Sequence, residues 1–223
     1  FDCLYGEAGF NAQGAGTTGF TPRAEVARLL DRKLQAMHAA GEPLDVITFS
    51  GNGEPTLHPD FPAIVDDTLA LRSRYYPEAK VSVLTNSTRI FDPAVAAALK
   101  KVDNNILKLD SALDDTIRVL DRPNSPGFTA DKVIESLRQF AGTGIIQTMM
   151  LRGEWEGRHI DNTTDAEVDA LIEAYRRIAP REIMLYSIDR PTPARTLEKI
   201  AAEELRAIGQ RIHAATGIPV QVN

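Results

Sequence analysis

The chain has 223 residues, 43% of them hydrophobic and 25% charged, with a formal net charge of −6, which suits a single soluble domain with a sizeable core. The acidic balance excludes a global basic field for nucleic acid, although a local basic patch would suffice for RNA. A lone cysteine, Cys3, excludes an intramolecular disulfide framework, and no apolar run reaches the roughly 18 residues of a membrane span. The chain starts abruptly at Phe1 with no visible leader, so a truncated N-terminus and a cytoplasmic setting are expected. After the cysteine, Asn11 to Gly19 (NAQGAGTTG) is small, polar and glycine-rich, which predicts a mobile loop over 6–20. Arg23 to Ala40 has apolar Val26, Leu29, Leu30, Leu34 and Met37 at helical spacing, with Thr21 and Pro22 as start signals and Gly41 as the stop. Leu44 to Ser50 reads as a buried strand, Phe61 to Tyr75 as a helix, Lys80 to Thr85 as a strand and Asp92 to Lys101 as a short helix. Asn105 to Leu109 is the next strand, followed by a loop carrying Asp121-Arg122-Pro123, then a helix over Ala130 to Ala141. Gly144 to Leu151 is a strand, Asp165 to Ile178 a helix, Arg181 to Ile188 a strand, Ala194 to Ala215 a helix and Ile218 to Val222 a final strand.

Strand–helix alternation over the whole length implies parallel strands with right-handed crossovers and helices outside. The expected fold class is α/β: a partial, open β/α barrel of about six parallel strands with outer helices, in one domain over residues 1–223. A doubly wound open sheet is the alternative. In either architecture ligands sit at the C-terminal ends of the strands.

The strand ends carry the chemistry. After the first strand come Gly51, Gly53, Glu54 and Pro55. The glycines let a ligand approach the backbone, and Glu54 offers an acceptor-only carboxylate suited to an ammonium group; the plain alternative is a tight turn before a helix. Thr85 and Asn86 follow the next strand, and an Asx-turn would account for them equally. Lys108 and Asp110 flank Leu109 and so point to one face of their strand; as a buried pair they are costly and mark a candidate site. Gln147 lies on a later strand, and Ser187, Asp189 and Arg190 gather at the end of another.

The stretch Thr48-Phe49-Ser50-Gly51-Asn52-Gly53-Glu54-Pro55-Thr56-Leu57-His58-Pro59-Asp60 resembles the GGEP-type motif of radical S-adenosylmethionine (SAM) enzymes. The branch it is most similar to is that of the wyosine-base-forming tRNA enzymes, 4-demethylwyosine synthase-like proteins. Leu84-Thr85-Asn86, Lys108-Leu109-Asp110-Ser111-Ala112, Asp121-Arg122-Pro123 and Asp189-Arg190-Pro191 fall in the order that branch shows. Phe1 to Glu7 (FDCLYGE) resembles the segment around the family's C-x3-C-x2-C motif, with Cys3 as the middle cysteine. The first would precede Phe1, and Gly6 stands where the third would fall.

The resemblance implies a [4Fe–4S] cluster held in part by Cys3, SAM bound beside it, and reductive cleavage to a 5′-deoxyadenosyl radical that attacks an unidentified substrate. It assigns Gly51, Gly53, Glu54 and Pro55 to the SAM methionine moiety, Thr85 and Asn86 to its carboxylate or ribose, and Lys108 and Asp110 to the pocket wall. Gln147, Ser187, Asp189 and Arg190 would lie nearer the substrate or the adenine. An electron donor such as a flavodoxin or ferredoxin is implied, and an RNA substrate is compatible. Gly6 opposes cluster ligation, because glycine offers no thiolate. A cluster-free relative that binds SAM or RNA is therefore the alternative, and a barrel aldolase using Lys108 as a Schiff-base lysine is a third reading.

Overall fold

The computed structural model describes residues 1–6, 10, 19–50 and 53–223. The chain folds into two units. One comprises residues 15–85 and 89–106; the other comprises 1–14, 86–88 and 107–223. The expected loop over 6–20 falls for the most part outside the described residues, as does Gly51.

The 15–85 and 89–106 unit opens with helix α1 (Arg23–Ala39), whose N-cap is Pro22 and carries no side-chain cap bond. The expected Thr21 cap is replaced by backbone bonds from Glu25 and Val26 to the Pro22 carbonyl. Strand β1 (Val46–Phe49) pairs in parallel with β2 (Lys80–Thr85), Val46 facing Lys80 and Phe49 facing Val83. Helix α2 (Phe61–Tyr75) links them, with a proline in its first turn and Arg72 and Arg74 at its negative end. The short helix α3 (Pro93–Leu99) is capped by Asp92, which accepts from Ala94 N at 2.9 Å. Strand β3 (Asn104–Lys108) starts in this unit and carries the chain into the other.

The 107–223 part continues with α4 (Asp114–Leu120) and α5 (Ala130–Leu137), the latter extended by a 3-10 turn over Arg138–Phe140. Strand β4 (Ile145–Trp155) runs for 11 residues. Its first half is parallel to β6 (Glu182–Ser187), Ile145 facing Glu182 and Met150 facing Ser187, and β6 is parallel to β8 (Val220–Val222). Its second half is flanked on either side by the antiparallel strands β5 (Arg158–Asp161) and β7 (Leu197–Lys199). Helix α6 (Asp165–Ile178) is capped by Thr164 and stops at Ala179 in a left-handed conformation; α7 (Ala202–Thr216) stops at Gly217. Leu4, Tyr5, Leu120, Met149, Leu151, Ile160 and Ala194 form a buried apolar cluster here.

Parallel strands joined by helices give the α/β class expected. Strand β1 is exposed to half-buried rather than buried, because only one of its neighbours among the described residues is a paired strand. Strand β5 has no counterpart in the sequence reading, and three further elements differ from it. The loop before Asp121 contains α4, which buries only Ile117 and Leu120. The run from Ala194 is a loop and β7 before the helix starts at Ala202. Strand β4 extends four residues past Leu151 because β5 and β7 supply its hydrogen bonds. Among the described residues no helix is long and apolar enough to cross a membrane.

Candidate functional site

The N-terminal segment is built into its unit. Asp2 N donates to Asp121 O at 3.1 Å, Leu4 N to Leu120 O at 2.9 Å, and Leu4 O accepts from Ala194 N at 3.4 Å. A tight turn follows, closed by Gly6 N donating to Cys3 O at 3.1 Å. Leu4 and Tyr5 are thereby buried, and Cys3 and Tyr5 meet the C-terminal end of β3.

Lys108 is the hub of what they meet. Its ammonium donates to Tyr5 Oη at 2.9 Å and Tyr186 Oη at 2.7 Å, and lies 3.8 Å from Asp110 Oδ2. It also sits 4.6 Å and 5.4 Å from the two ring centroids, within cation–π range. Asp110 is fully buried: the Tyr5 hydroxyl donates to Oδ2, and Met149 N donates to Oδ1 at 2.8 Å. Asp121 Oδ1 lies 3.2 Å from the Tyr5 hydroxyl and accepts from Cys3 Sγ at 3.5 Å.

Burial alone would depress the Lys108 ammonium, but Asp110 and the Tyr186 hydroxyl outweigh it and hold its pKa above the ordinary value. Burial and the neighbouring Asp110 charge push the Asp121 carboxyl well up, and burial with Asp121 pushes the Cys3 thiol well up. The arrangement is a fixed cation among phenols and carboxyls beside a protonated thiol. A lysine so held is a charge rather than a free amine nucleophile, which opposes the Schiff-base reading.

Asn162 sets this geometry from behind. It is fully buried, donates to Asp110 O at 2.8 Å and Met149 O at 2.7 Å, and accepts from Leu151 N at 2.9 Å. One side chain thus ties the end of β3 to the middle of β4. Nothing in the sequence marks it, because its partners are brought together only by the tertiary fold. Tyr5 was legible only as part of the cysteine segment, and Asp121 only as part of a motif.

Glu54 and Thr85 belong to the other unit, where they bond to each other. Glu54 Oε1 accepts from Thr85 Oγ1 at 2.6 Å, Thr56 Oγ1 at 2.5 Å and Thr56 N at 3.1 Å. The carboxylate therefore caps a 3-10 turn over Pro55–Leu57, with Pro55 at its first position. Gly53 has φ +153°, a conformation that L side chains rarely adopt. Asn86 makes an Asx-turn, its Oδ1 accepting from Thr88 N at 3.0 Å and Thr88 Oγ1 at 2.6 Å. Ser87, at φ +64°, donates to Lys108 O at 3.0 Å.

Of the residues expected near the substrate, Gln147 is half-buried on β4. Ser187 is buried, donating to Met150 O at 2.7 Å and accepting from Ile200 N at 2.8 Å. Asp189 and Arg190 are exposed, and Asp189 pairs with Lys199 at 2.8 Å.

The implied iron–sulfur cluster finds little to hold it. Three thiolates are needed, and Gly6, at the motif's third position, offers none. A Cβ at Gly6 would meet the Cys3 carbonyl at 3.3 Å, a tight contact. Among the described residues no group of three or more His, Cys, Asp or Glu forms a metal site. The donor set does not fit a [4Fe–4S] cluster.

Comparison with known proteins gives the family. The chain is 28% identical to the UPF0026 protein slr1464 of Synechocystis, covering 99% of this chain and 85% of that one. Streptococcus suis SuiB bound to S-adenosylmethionine matches with a TM-score of 0.62 and 14% identity, over 92% of this chain and 45% of SuiB. TYW1 with a lysine-pyruvate adduct bound matches with a TM-score of 0.58 and 15% identity, over 88% of this chain and 64% of TYW1. These structures share the fold, and the chain spans less than two thirds of either. The model of the radical SAM superfamily matches residues 3–155, most of the chain, and the chain belongs to that superfamily.

Proposed function

We propose that this chain binds S-adenosylmethionine through its strand-end loops, as the core of a radical SAM protein. The observation that carries the reading is the family match over residues 3–155, which includes the Gly53-Glu54-Pro55 turn held by Thr56 and Thr85. That turn, with Gly51, takes the methionine moiety. Its backbone is fixed in advance by the Glu54 carboxylate, so binding forfeits little loop entropy. Thr85 and Asn86 take the carboxylate or ribose.

Lys108 and Asp110 are assigned to a pocket wall within their own unit, where their bonds to Tyr5, Tyr186 and Met149 hold their positions. Gln147, Asp189 and Arg190 are assigned to the remainder of the nucleoside or a second substrate, and Ser187, bonded to Met150 O and Ile200 N, to the support behind them. The family's radical chemistry, with its electron donor such as a flavodoxin or ferredoxin, requires thiolates beyond the one present here. An RNA substrate draws support from the resemblance alone.

Isothermal titration of SAM into the purified chain tests the reading. Binding is expected, and Glu54→Ala should weaken it at least about tenfold, about 1.4 kcal/mol, through loss of the pre-formed turn. SAM affinity unchanged in a folded Glu54→Ala variant would remove Glu54 from the site; no SAM binding by the parent chain would remove the reading itself.

A further inference from the structure

We infer that Cys3 is a structural thiol in this chain, and that the chain's own residues ligate no iron–sulfur cluster. The family's cluster motif and the donors present here disagree at position 6, where glycine stands. Cluster ligation asks for a thiolate on an accommodating loop. Cys3 is the opposite: its Sγ donates to the carboxyl of Asp121, 3.5 Å from Oδ1 and 3.8 Å from the carbonyl.

The backbone around it is equally committed. Asp2 and Leu4 are bonded to Asp121 and Leu120, and Ala194 is bonded to Leu4. Releasing the thiol would withdraw Leu4 and Tyr5 from the apolar cluster and break the Tyr5 bond to Asp110. Asp121 Oδ1 would lose the Cys3 donor. Position 6 adds no ligand: Gly6 closes the turn on Cys3, where any Cβ crowds the Cys3 carbonyl. Whatever thiols lie elsewhere, the motif is short of one at this position.

The segment from Asp2 to Tyr5, which bears the cysteine, is tied into the core, with Lys108 supplying the positive charge beside Asp110 and Tyr5. The fold keeps the cysteine for its hydrogen bond and its packing.

The test is anaerobic reconstitution of the chain with iron and sulfide, then desalting, metal and sulfide analysis and a visible spectrum, alongside Cys3→Ser and Cys3→Ala. The expected result is less than one iron per chain in all three. Cys3→Ala should melt a few degrees lower, with Cys3→Ser recovering most of the loss because a hydroxyl can still donate to Asp121. About four irons per chain, lost in Cys3→Ser, would overturn the inference. About four irons with matching sulfide retained equally by parent and Cys3→Ser would leave Cys3 a structural thiol but overturn the claim that the chain ligates no cluster. The iron count is independent of SAM titration, so failure to bind SAM would sink the proposed function without deciding the role of Cys3.

Discussion

Replacing Lys108 with methionine isolates the ion pair at the heart of the candidate site. Asp110 is fully buried, and Lys108 Nζ lies 3.8 Å from its Oδ2. Methionine preserves most of the stem volume and removes the charge. The carboxylate keeps its bonds from Tyr5 and Met149 N but loses its cation. Leaving one member of a buried pair uncompensated costs about 3–5 kcal/mol. For a chain of this size each kcal/mol moves the melting temperature by about 2–4 °C, so Lys108→Met should melt roughly 6–20 °C lower. Thermal unfolding followed by circular dichroism reads this directly. The double variant Lys108→Met/Asp110→Asn removes the stranded charge while keeping an acceptor for Met149 N, and should recover most of the loss. A Lys108→Met deficit below about 1 kcal/mol, the scale of an exposed ion pair, would refute the reasoning.

Other expectations follow from the same structure. Asn162→Ala strands the carbonyls of Asp110 and Met149 and the N–H of Leu151; at about 1–3 kcal/mol for each buried group left unpaired, a loss of several kcal/mol is expected in urea unfolding, and a loss under about 1 kcal/mol would show that water replaces the amide. Gly153→Ala sets a Cβ 2.8 Å from Leu197 Cα at φ +148°, so β7 must shift; hydrogen exchange should show faster exchange at Leu197 to Lys199, and unchanged protection would contradict the close approach. Burial pushes the Glu167 carboxyl up, outweighing its bonds from Ser111 and Thr116. Above the ordinary carboxylate value the native state then holds more protons than the unfolded one, so stability falls as pH rises through that window. Glu167→Gln should flatten this slope in urea midpoints measured across pH, and an unchanged slope would assign it to other groups.

The helices and strands with strong periodicity were readable from sequence because their burial is one-sided or complete. Asp165–Ile178 and Lys80–Thr85 end where the pattern does. Helix α4 was not, since seven residues with two buried side chains and no side-chain cap carry too little pattern. Strand β7 hides in a charged run that fits a helix equally well, and only its pairing with β4 decides. The strand-end rule found Lys108 and Asp110, whose alternation on one strand is a local signal. It could not find Asn162, or Asp121 as the partner of the Cys3 thiol, because those bonds join residues far apart in the chain. Glu54 was legible as a candidate site carboxylate but not as the cap of its own turn, which depends on Thr85 arriving from the next strand.

The docking of the cysteine-bearing segment also sets a timetable for biosynthesis. Tyr5 and Asp121 are separated by 116 residues in sequence, so at about 5–20 residues per second the segment waits roughly 6–23 s for its partner to be translated. Ala194, which donates to Leu4, is made later still. Until then Leu4 and Tyr5 are exposed apolar groups on a nascent chain, and closing so long a loop carries an entropic cost before any contact rewards it. The first residues of this sequence to be synthesised are thus among the last to find their places.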